Sequence, residues 1–137
     1  MLGLLGTGTA ACAAKSITAD TCDGAPIVTF APGADAGVPT TAPVFDSVQG
    51  PSCLHSLQAG AYHIVCHDND DRIVAFRMSG SKYPLPKTLR LDVPTAAFDD
   101  DVFVIVGDEK GDYDVQLAAI DEAGHSSAAT TATVSVK

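Results

Sequence analysis

The chain has 137 residues, enough for one domain with a hydrophobic core of its own. It carries 17 acidic and 8 basic side chains, a formal net charge of −9, so a polyanion such as DNA would be repelled and we set nucleic-acid binding aside. Aromatic residues make up only 6% of the chain and tryptophan is absent, while small aliphatic residues and threonine abound, a composition typical of strands and tight turns.

The first part of the chain, residues 1–41, is predicted to be an apolar arm, a short strand and a linker. The segment TAAC, which ends at Cys12, loosely resembles a bacterial lipobox, but no basic region precedes it and the apolar stretch is too short to span a bilayer. We therefore expect an unprocessed arm packed against protein, and the alternative is the remnant of a signal. PIVTFAP, 26–32, predicts a strand with proline at both ends.

The second part, residues 42–137, alternates regularly between apolar and polar side chains. Residues 61–67 and 72–78 are two such runs around a short polar break, DNDD, and this arrangement predicts a β-hairpin. The predicted faces are Tyr62, Ile64 and Cys66 against His63, Val65 and His67 in the first run, and Val74, Phe76 and Met78 against Arg77 in the second.

The remaining runs complete a prediction of seven to nine short strands in two packed sheets, an all-β sandwich. VFVIV, 102–106, is apolar on both faces and is predicted to be a central strand. No segment has a convincing helical period. TLRLDV places Leu89, Leu91 and Val93 on one face. The predicted inward faces of the last two runs are Tyr113, Val115, Leu117 and Ala119, and Ala132, Val134 and Val136.

One local pattern indicates the kind of sandwich. Gly111 stands two residues before Tyr113, where it permits a sharp approach because glycine tolerates positive φ. The pattern resembles the corner of immunoglobulin-type sandwiches, in which a tyrosine hydroxyl reaches back to the backbone a few residues upstream. The segment also resembles the last two strands of bacterial immunoglobulin-like, fibronectin-type and PKD-like domains, and this implies an immunoglobulin-like β-sandwich over residues 42–137.

The motif HDNDD, 67–71, is the best candidate for binding a metal. Clustered carboxylate and amide oxygens suit a hard cation such as Ca²⁺, although Asp/Asn turns also form without one because their side chains bond their own backbone. This motif, APVF at 42–45 and AAIDEAGHSS at 118–127 resemble elements of a cadherin-like domain. The resemblance implies calcium at Asp68, Asp70 and Asp121.

The chain has four cysteines, Cys12, Cys22, Cys53 and Cys66, and an even count permits two disulfides. Zinc could use Cys53, His55, His63, Cys66 and His67, but on its strand Cys66 faces away from the two nearest histidines. We therefore expect a Cys53–Cys66 disulfide, or two reduced buried thiols, rather than a zinc site.

No residue pattern indicates catalysis. The chain has no GxSxG motif and no phosphate-binding glycine loop, and the carboxylates of Asp99, Asp100 and Asp101 are expected to form a solvated run in one loop. We expect a non-enzymatic subunit that packs into or decorates a larger assembly, such as a virion or a surface filament or layer. Its expected partners are proteins, in a homo-oligomer or as a subunit of that larger assembly, and no transmembrane segment is expected. The alternative is a secreted or lipid-anchored, cadherin-like adhesion module assisted by calcium, which predicts disulfides. The expected location is a virion or the cell surface.

Overall fold

The structure of the chain is a computed structural model, and it describes residues 22, 24–34, 37–80, 83–105 and 109–137. Most of the predicted arm, with Cys12, lies outside the described residues. The described residues form ten strands in two sheets and no helix, which confirms the predicted all-β sandwich. The strands are β1 (Ile27–Thr29), β2 (Ala31–Pro32), β3 (Val44–Pro51), β4 (Cys53–Leu54), β5 (Ala59–His67), β6 (Ile73–Gly80), β7 (Tyr83–Thr95), β8 (Ala97–Ile105), β9 (Gly111–Asp121) and β10 (Thr130–Val136).

The first sheet has the strand order β1-β3-β5-β8 and the second β2-β10-β9-β6-β7, with the short β4 alongside β10. The single strand predicted over 26–32 is divided in two. Its halves join different sheets, β1 beside β3 and β2 beside β10, and between them Phe30 is buried in the core. The sandwich therefore begins before residue 42.

The core lies between the sheets and consists of the inward-facing side chains of the alternating strands. The predicted inward faces of β5, β9 and β10 are confirmed, because each of their members is buried. The ring of Tyr62 stands edge-on to that of Phe30, with 5.8 Å between the ring centroids. The buried members of the three faces in β5, β9 and β10 are Tyr62, Ile64, Cys66, Tyr113, Val115, Leu117, Ala119, Ala132, Val134 and Val136.

In β6 the alternation is interrupted by a bulge between Ile73 and Ala75. A bulge places an extra residue in one strand and so reverses the parity of the residues beyond it. As a result Ile73, which the unbroken pattern assigned to the outer face, is as deeply buried as Phe76. Val74, predicted to share a face with Phe76 and Met78, is only half-buried, whereas Met78 packs against the edge of the core.

The prediction of a central strand over 102–106 is wrong. Within the described part of the chain β8 pairs only with β5, so it is an edge strand, and Phe103 on its outer face is 56% exposed. At the edge of the second sheet, Leu91 of β7 packs against the core. Leu89 and Val93, predicted to share its face, are instead 47% and 74% exposed, and the pairing of β7 with β6 shifts register between Arg90 and Thr95.

The corner at the start of β9 has the predicted geometry. The hydroxyl of Tyr113 donates a hydrogen bond to the carbonyl of Glu109 at 2.6 Å, and Gly111 between them has a φ of +129°, which an L-residue with a side chain rarely adopts. The chain thus enters β9 along a fixed path.

The structure corrects the expected disulfide. Cys53 is bonded to Cys22, with 5.5 Å between their Cα atoms, and Cys66 is reduced and buried. The reason is position: β5 directs Cys66 into the space between the sheets, while β4 runs along Ser135 of β10, where the backbone N–H of Cys22 also donates to the carbonyl of Cys53. Burial, with a smaller contribution from the Asp46 carboxylate, raises the pKa of Cys66 to about 12, so this thiol stays protonated.

Candidate functional site

The turn between β5 and β6 is organised around Asp68. Its Oδ1 accepts hydrogen bonds from the backbone N–H groups of Asp70 and Asp71, both at 2.9 Å, the arrangement that makes Asp a turn residue. Its own N–H donates to the carbonyl of Ala96 at 2.8 Å. The side chain is buried, and its second oxygen, Oδ2, has no hydrogen-bond partner among the described residues.

A second buried carboxylate closes β9. The Oδ1 of Asp121 accepts a hydrogen bond from the backbone N–H of His125 at 2.8 Å, and Gly124, with a φ of +87°, makes the turn between them. The Oδ2 of Asp121 is buried without a hydrogen-bond partner in the described part of the chain and faces the Nδ1 of His125 at 3.4 Å. That nitrogen is also 3.2 Å from the Oγ1 of Thr41.

Pairing between β6 and β9 brings these two segments together. Ile73 lies opposite Asp121, and the next N–H, that of Glu122, donates to the carbonyl of Arg72 at 2.9 Å. The guanidinium of Arg72 in turn donates to both carboxylate oxygens of Glu122, at 3.0 and 3.3 Å. The β5–β6 turn and the loop after β9 therefore lie side by side at one end of the sandwich.

The result is a crowded group of acidic side chains, which we call the loop-end cluster: Asp68, Asp71, Asp121 and His125. One potential ligand atom from each of the last three lies within 4.8 Å of the others. Burial raises the pKa of Asp68, but hydrogen bonds from the backbone N–H groups of Asp71 and Asp70, together with the nearby Asp121 carboxyl, outweigh it and hold that pKa below its usual value. Desolvation, with repulsion from Asp121 and Asp68, raises the pKa of Asp71.

Two of the three residues expected to hold calcium, Asp68 and Asp121, are brought together here, and Asp70 is not. Asp70 contributes only its backbone N–H to the turn, and its side chain is exposed. Sequence reasoning missed Asp71 and His125. The available signal was the four-residue spacing from Asp121 to His125 across a glycine turn, which folds the imidazole back onto the carboxylate.

The residues considered for zinc do not converge. Cys53 is in the disulfide, Cys66 points into the core, and His63 and His67 lie on the outer face of the first sheet. The imidazole of His67 contacts the Asp46 carboxylate at 2.9 Å instead.

On that outer face His63 lies between two carboxylates. Its Nδ1 is 2.7 Å from Asp101 and its Nε2 2.7 Å from Asp99. The acidic run of Asp99, Asp100 and Asp101, which was expected in a loop, is in fact part of β8. Because side chains alternate along a strand, Asp99 and Asp101 lie on the same face of the sheet as His63 on the neighbouring β5. Both ring nitrogens can donate only when the imidazole is doubly protonated. The hydrogen bond with Asp101 is the largest influence on the pKa of His63; burial opposes it, Asp99 adds to it, and the pKa is raised.

We predict that this interaction stabilises the fold below about pH 6.5, the unfolded-state pKa of histidine, and is lost as the pH rises through the higher folded-state pKa. The contribution is small because the side chain is 48% exposed. An NMR titration of the His63 ring should give a midpoint above about 6.5, lowered in Asp101→Asn. Asp46→Asn, which alters the partner of His67, is the matched control and should leave this midpoint in place. A His63 midpoint that is the same in Asp101→Asn as in the wild type would contradict the hydrogen bond between His63 and Asp101.

Elsewhere, an open groove of about 520 Å³ lies between the start of β10 and the loop before β3. Its walls are mostly apolar and include Phe30, Pro43, Phe45 and Val48, and Asp46 is its one ionisable residue among the described residues.

The two-sheet architecture and the tyrosine corner define an immunoglobulin-like β-sandwich. The chain is similar to the PKD domain of an M14-like peptidase from Thermoplasmatales archaeon SCGC AB-540-F20, with a TM-score of 0.51 and 19% identity over 69% of this chain and 92% of that domain. A Niemann-Pick type C2 protein from the Japanese carpenter ant gives a TM-score of 0.47 and 10% identity over 62% of this chain and 79% of that protein. No family model and no curated protein matches the sequence. Among the described residues there is no helix long and apolar enough to cross a membrane.

Proposed function

We propose that this chain is a non-catalytic, immunoglobulin-like interaction module that works outside the cytoplasm, in a secreted or surface-exposed protein. The Cys22–Cys53 disulfide is the observation that carries the proposal. Disulfides persist in oxidising compartments, whereas cytosolic thiols are kept reduced. A bond between residues 31 positions apart constrains the unfolded chain, so it has a structural use in a domain of this size.

The groove and the sheet faces support a role in binding rather than catalysis. A fold does not decide function, so the argument rests on the side chains. Among the described residues that line the groove Asp46 is the one ionisable group, and its carboxylate is paired with the imidazole of His67, 2.9 Å away. On the outer face of the first sheet, both nitrogens of His63 are held by carboxylates, which leaves neither free to act as a base.

The compartment can be tested on material from the native source. Free thiols are alkylated in denaturant, so that a reduced but buried Cys53 would also be labelled, and the digest is mapped by mass spectrometry. We expect one disulfide-linked peptide pair containing Cys22 and Cys53, with neither residue alkylated. A sample reduced first is the control and must carry the label at both. Label at Cys22 and Cys53 in the unreduced sample would overturn the proposed location.

The free edge of β7 favours a second candidate, a subunit of a larger assembly such as a virion coat or a surface layer. Within the described residues this 13-residue strand pairs only with β6, and it exposes Leu89 and Val93. An open strand edge with apolar side chains is a template for pairing with another chain, and the simplest partner is a second copy.

For this candidate we predict that Val93→Lys dissociates the native oligomer. Light scattering with size exclusion would measure the mass across a hundredfold range of concentration. Val44→Lys is the matched control, because Val44 is also exposed, at 50%, but lies on β3 inside the other sheet. A wild-type protein that is monomeric throughout, or two variants with equal effects, would contradict assembly through β7.

A further inference from the structure

We propose that the loop-end cluster is a binding site for one divalent transition-metal ion, of the Zn²⁺ or Mn²⁺ class, held by Asp68, Asp71, Asp121 and His125. The first observation is the pair of unsatisfied oxygens. The Oδ2 atoms of Asp68 and Asp121 are both buried without a hydrogen-bond partner in the described part of the chain, although their residues are only 4% and 2% exposed. Buried carboxylate oxygens ordinarily have partners, because an unpaired buried charge is costly.

The unsatisfied oxygens are directed into the cluster. Oδ2 of Asp121 faces the imidazole of His125 at 3.4 Å, and the carboxyl groups of Asp68 and Asp121 are within hydrogen-bonding reach of each other. In each carboxylate the other oxygen, Oδ1, is already used by backbone N–H groups. These bonds fix the orientation of the carboxylates and leave one lone-pair oxygen of each available for a ligand.

Among the described residues no lysine or arginine neutralises the group. Within the described residues no salt bridge from either residue type reaches Asp68, Asp71 or Asp121, and the adjacent guanidinium of Arg72 is held by Glu122 through two hydrogen bonds. Three carboxylates therefore converge with a single imidazole. Either a cation or a shared proton must relieve their repulsion, and a cation would satisfy both buried oxygens at once.

The donor set decides the class of ion. Carboxylate oxygens alone would suit Ca²⁺, Mg²⁺ or Mn²⁺, whereas an imidazole nitrogen favours Zn²⁺ and other first-row metals, so the mixed set of donors fits a first-row ion that accepts both, Zn²⁺ or Mn²⁺. Zinc lies about 2.0–2.2 Å from nitrogen and oxygen ligands, so the ligands of a tetrahedral site are about 3.3–3.6 Å apart. The Oδ2 of Asp121 and the Nδ1 of His125 are already 3.4 Å apart. The potential ligand atoms of Asp71, Asp121 and His125 lie within 4.8 Å of one another, so a side-chain movement of about 1 Å would complete the site.

Bound there, the ion would join the β5–β6 turn to the loop after β9. Both segments are held by backbone hydrogen bonds of their own, so the ligands are arranged before the ion arrives. The site is independent of the disulfide, because neither Cys22 nor Cys53 belongs to it.

The test uses the whole chain, stripped with a chelator and titrated separately with ZnCl₂, MnCl₂, CaCl₂ and MgCl₂. We expect Zn²⁺ or Mn²⁺ to bind with one-to-one stoichiometry in calorimetry and to raise Tm by at least about 5 °C at saturating concentration. Paramagnetic Mn²⁺ should broaden the NMR signals of Asp71 and His125 before those of His63, and this readout separates the cluster from histidines elsewhere.

Asp71→Asn and His125→Gln should each weaken binding at least tenfold. Asp70→Asn, in the same turn but outside the cluster, is the matched control and should bind like the wild type. Because Asp71→Asn and His125→Gln are tested separately, a folding defect in one of them leaves the other as a test of the site. Absence of binding by all four ions would overturn the site and indicate a shared proton. Equal binding by His125→Gln, or preference for Ca²⁺, would overturn the mixed donor set.

Discussion

Replacing Tyr62 with alanine should lower the free energy of unfolding by about 3–5 kcal/mol, the usual cost of removing a large buried aromatic ring. The ring is 1% exposed, stands edge-on to Phe30, and carries a hydroxyl that donates to the carbonyl of Pro51 at 2.7 Å. Its strand, β5, lies between β3 and β8 in the first sheet. Urea denaturation followed by circular dichroism would measure the loss.

Two companion variants show where this energy resides. Tyr62→Phe keeps the ring and loses only the hydrogen bond, at about 1 kcal/mol. A Cβ at Gly50 would collide with the ring of Tyr62, so Gly50→Ala should be destabilising in the wild type and close to neutral in Tyr62→Ala. If the effects of Gly50→Ala and Tyr62→Ala simply add, the ring does not pack on Gly50 as described.

Removing the Cys22–Cys53 disulfide should cost about 3–4 kcal/mol, the chain-entropy value for closing a loop of this length. The bond spans 31 positions and ties the segment before β1 to β4. Cys22→Ser is the cleaner change because Cys22 is partly exposed, whereas Cys53 is buried. Urea denaturation without reductant would measure the difference from the wild type.

The double variant Cys22→Ser/Cys53→Ser supplies the control. Because both single changes abolish the same bond, each single and the double should lose similar amounts, and reductant should destabilise the wild type while leaving the variants unchanged. A double variant whose loss equals the sum of the singles would mean that the two cysteines contribute separately and that no bond joins them.

Much of the architecture is determined by local pattern. In β5, β9 and β10 the period-two alternation is unbroken, and each predicted inward side chain is buried. The corner at Tyr113 was also predictable, because the hydroxyl and its acceptor, Glu109, are only four positions apart. Where a contact is short in sequence, the residue types themselves determine it.

The errors share a physical cause, which is dependence on neighbours distant in the chain. An apolar run such as 102–106 indicates a central strand, yet the position of β8 at an edge depends on which strands pair. The choice of Cys22 over Cys66 depends on where β4 lies against β10. Likewise, the approach of Asp71 to His125 requires the register between β6 and β9, which the bulge after Ile73 shifts.

The reactivity of the reduced Cys66 reports how often the two sheets of the domain separate. Its sulfur reacts as the thiolate, which its burial and its pKa of about 12 suppress while the sheets stay together. An alkylating reagent can reach it only when the two layers separate. The rate of alkylation at this sulfur therefore measures how often the sheets separate. It needs no dye or engineered probe, and the opening rates of two variants can be compared directly.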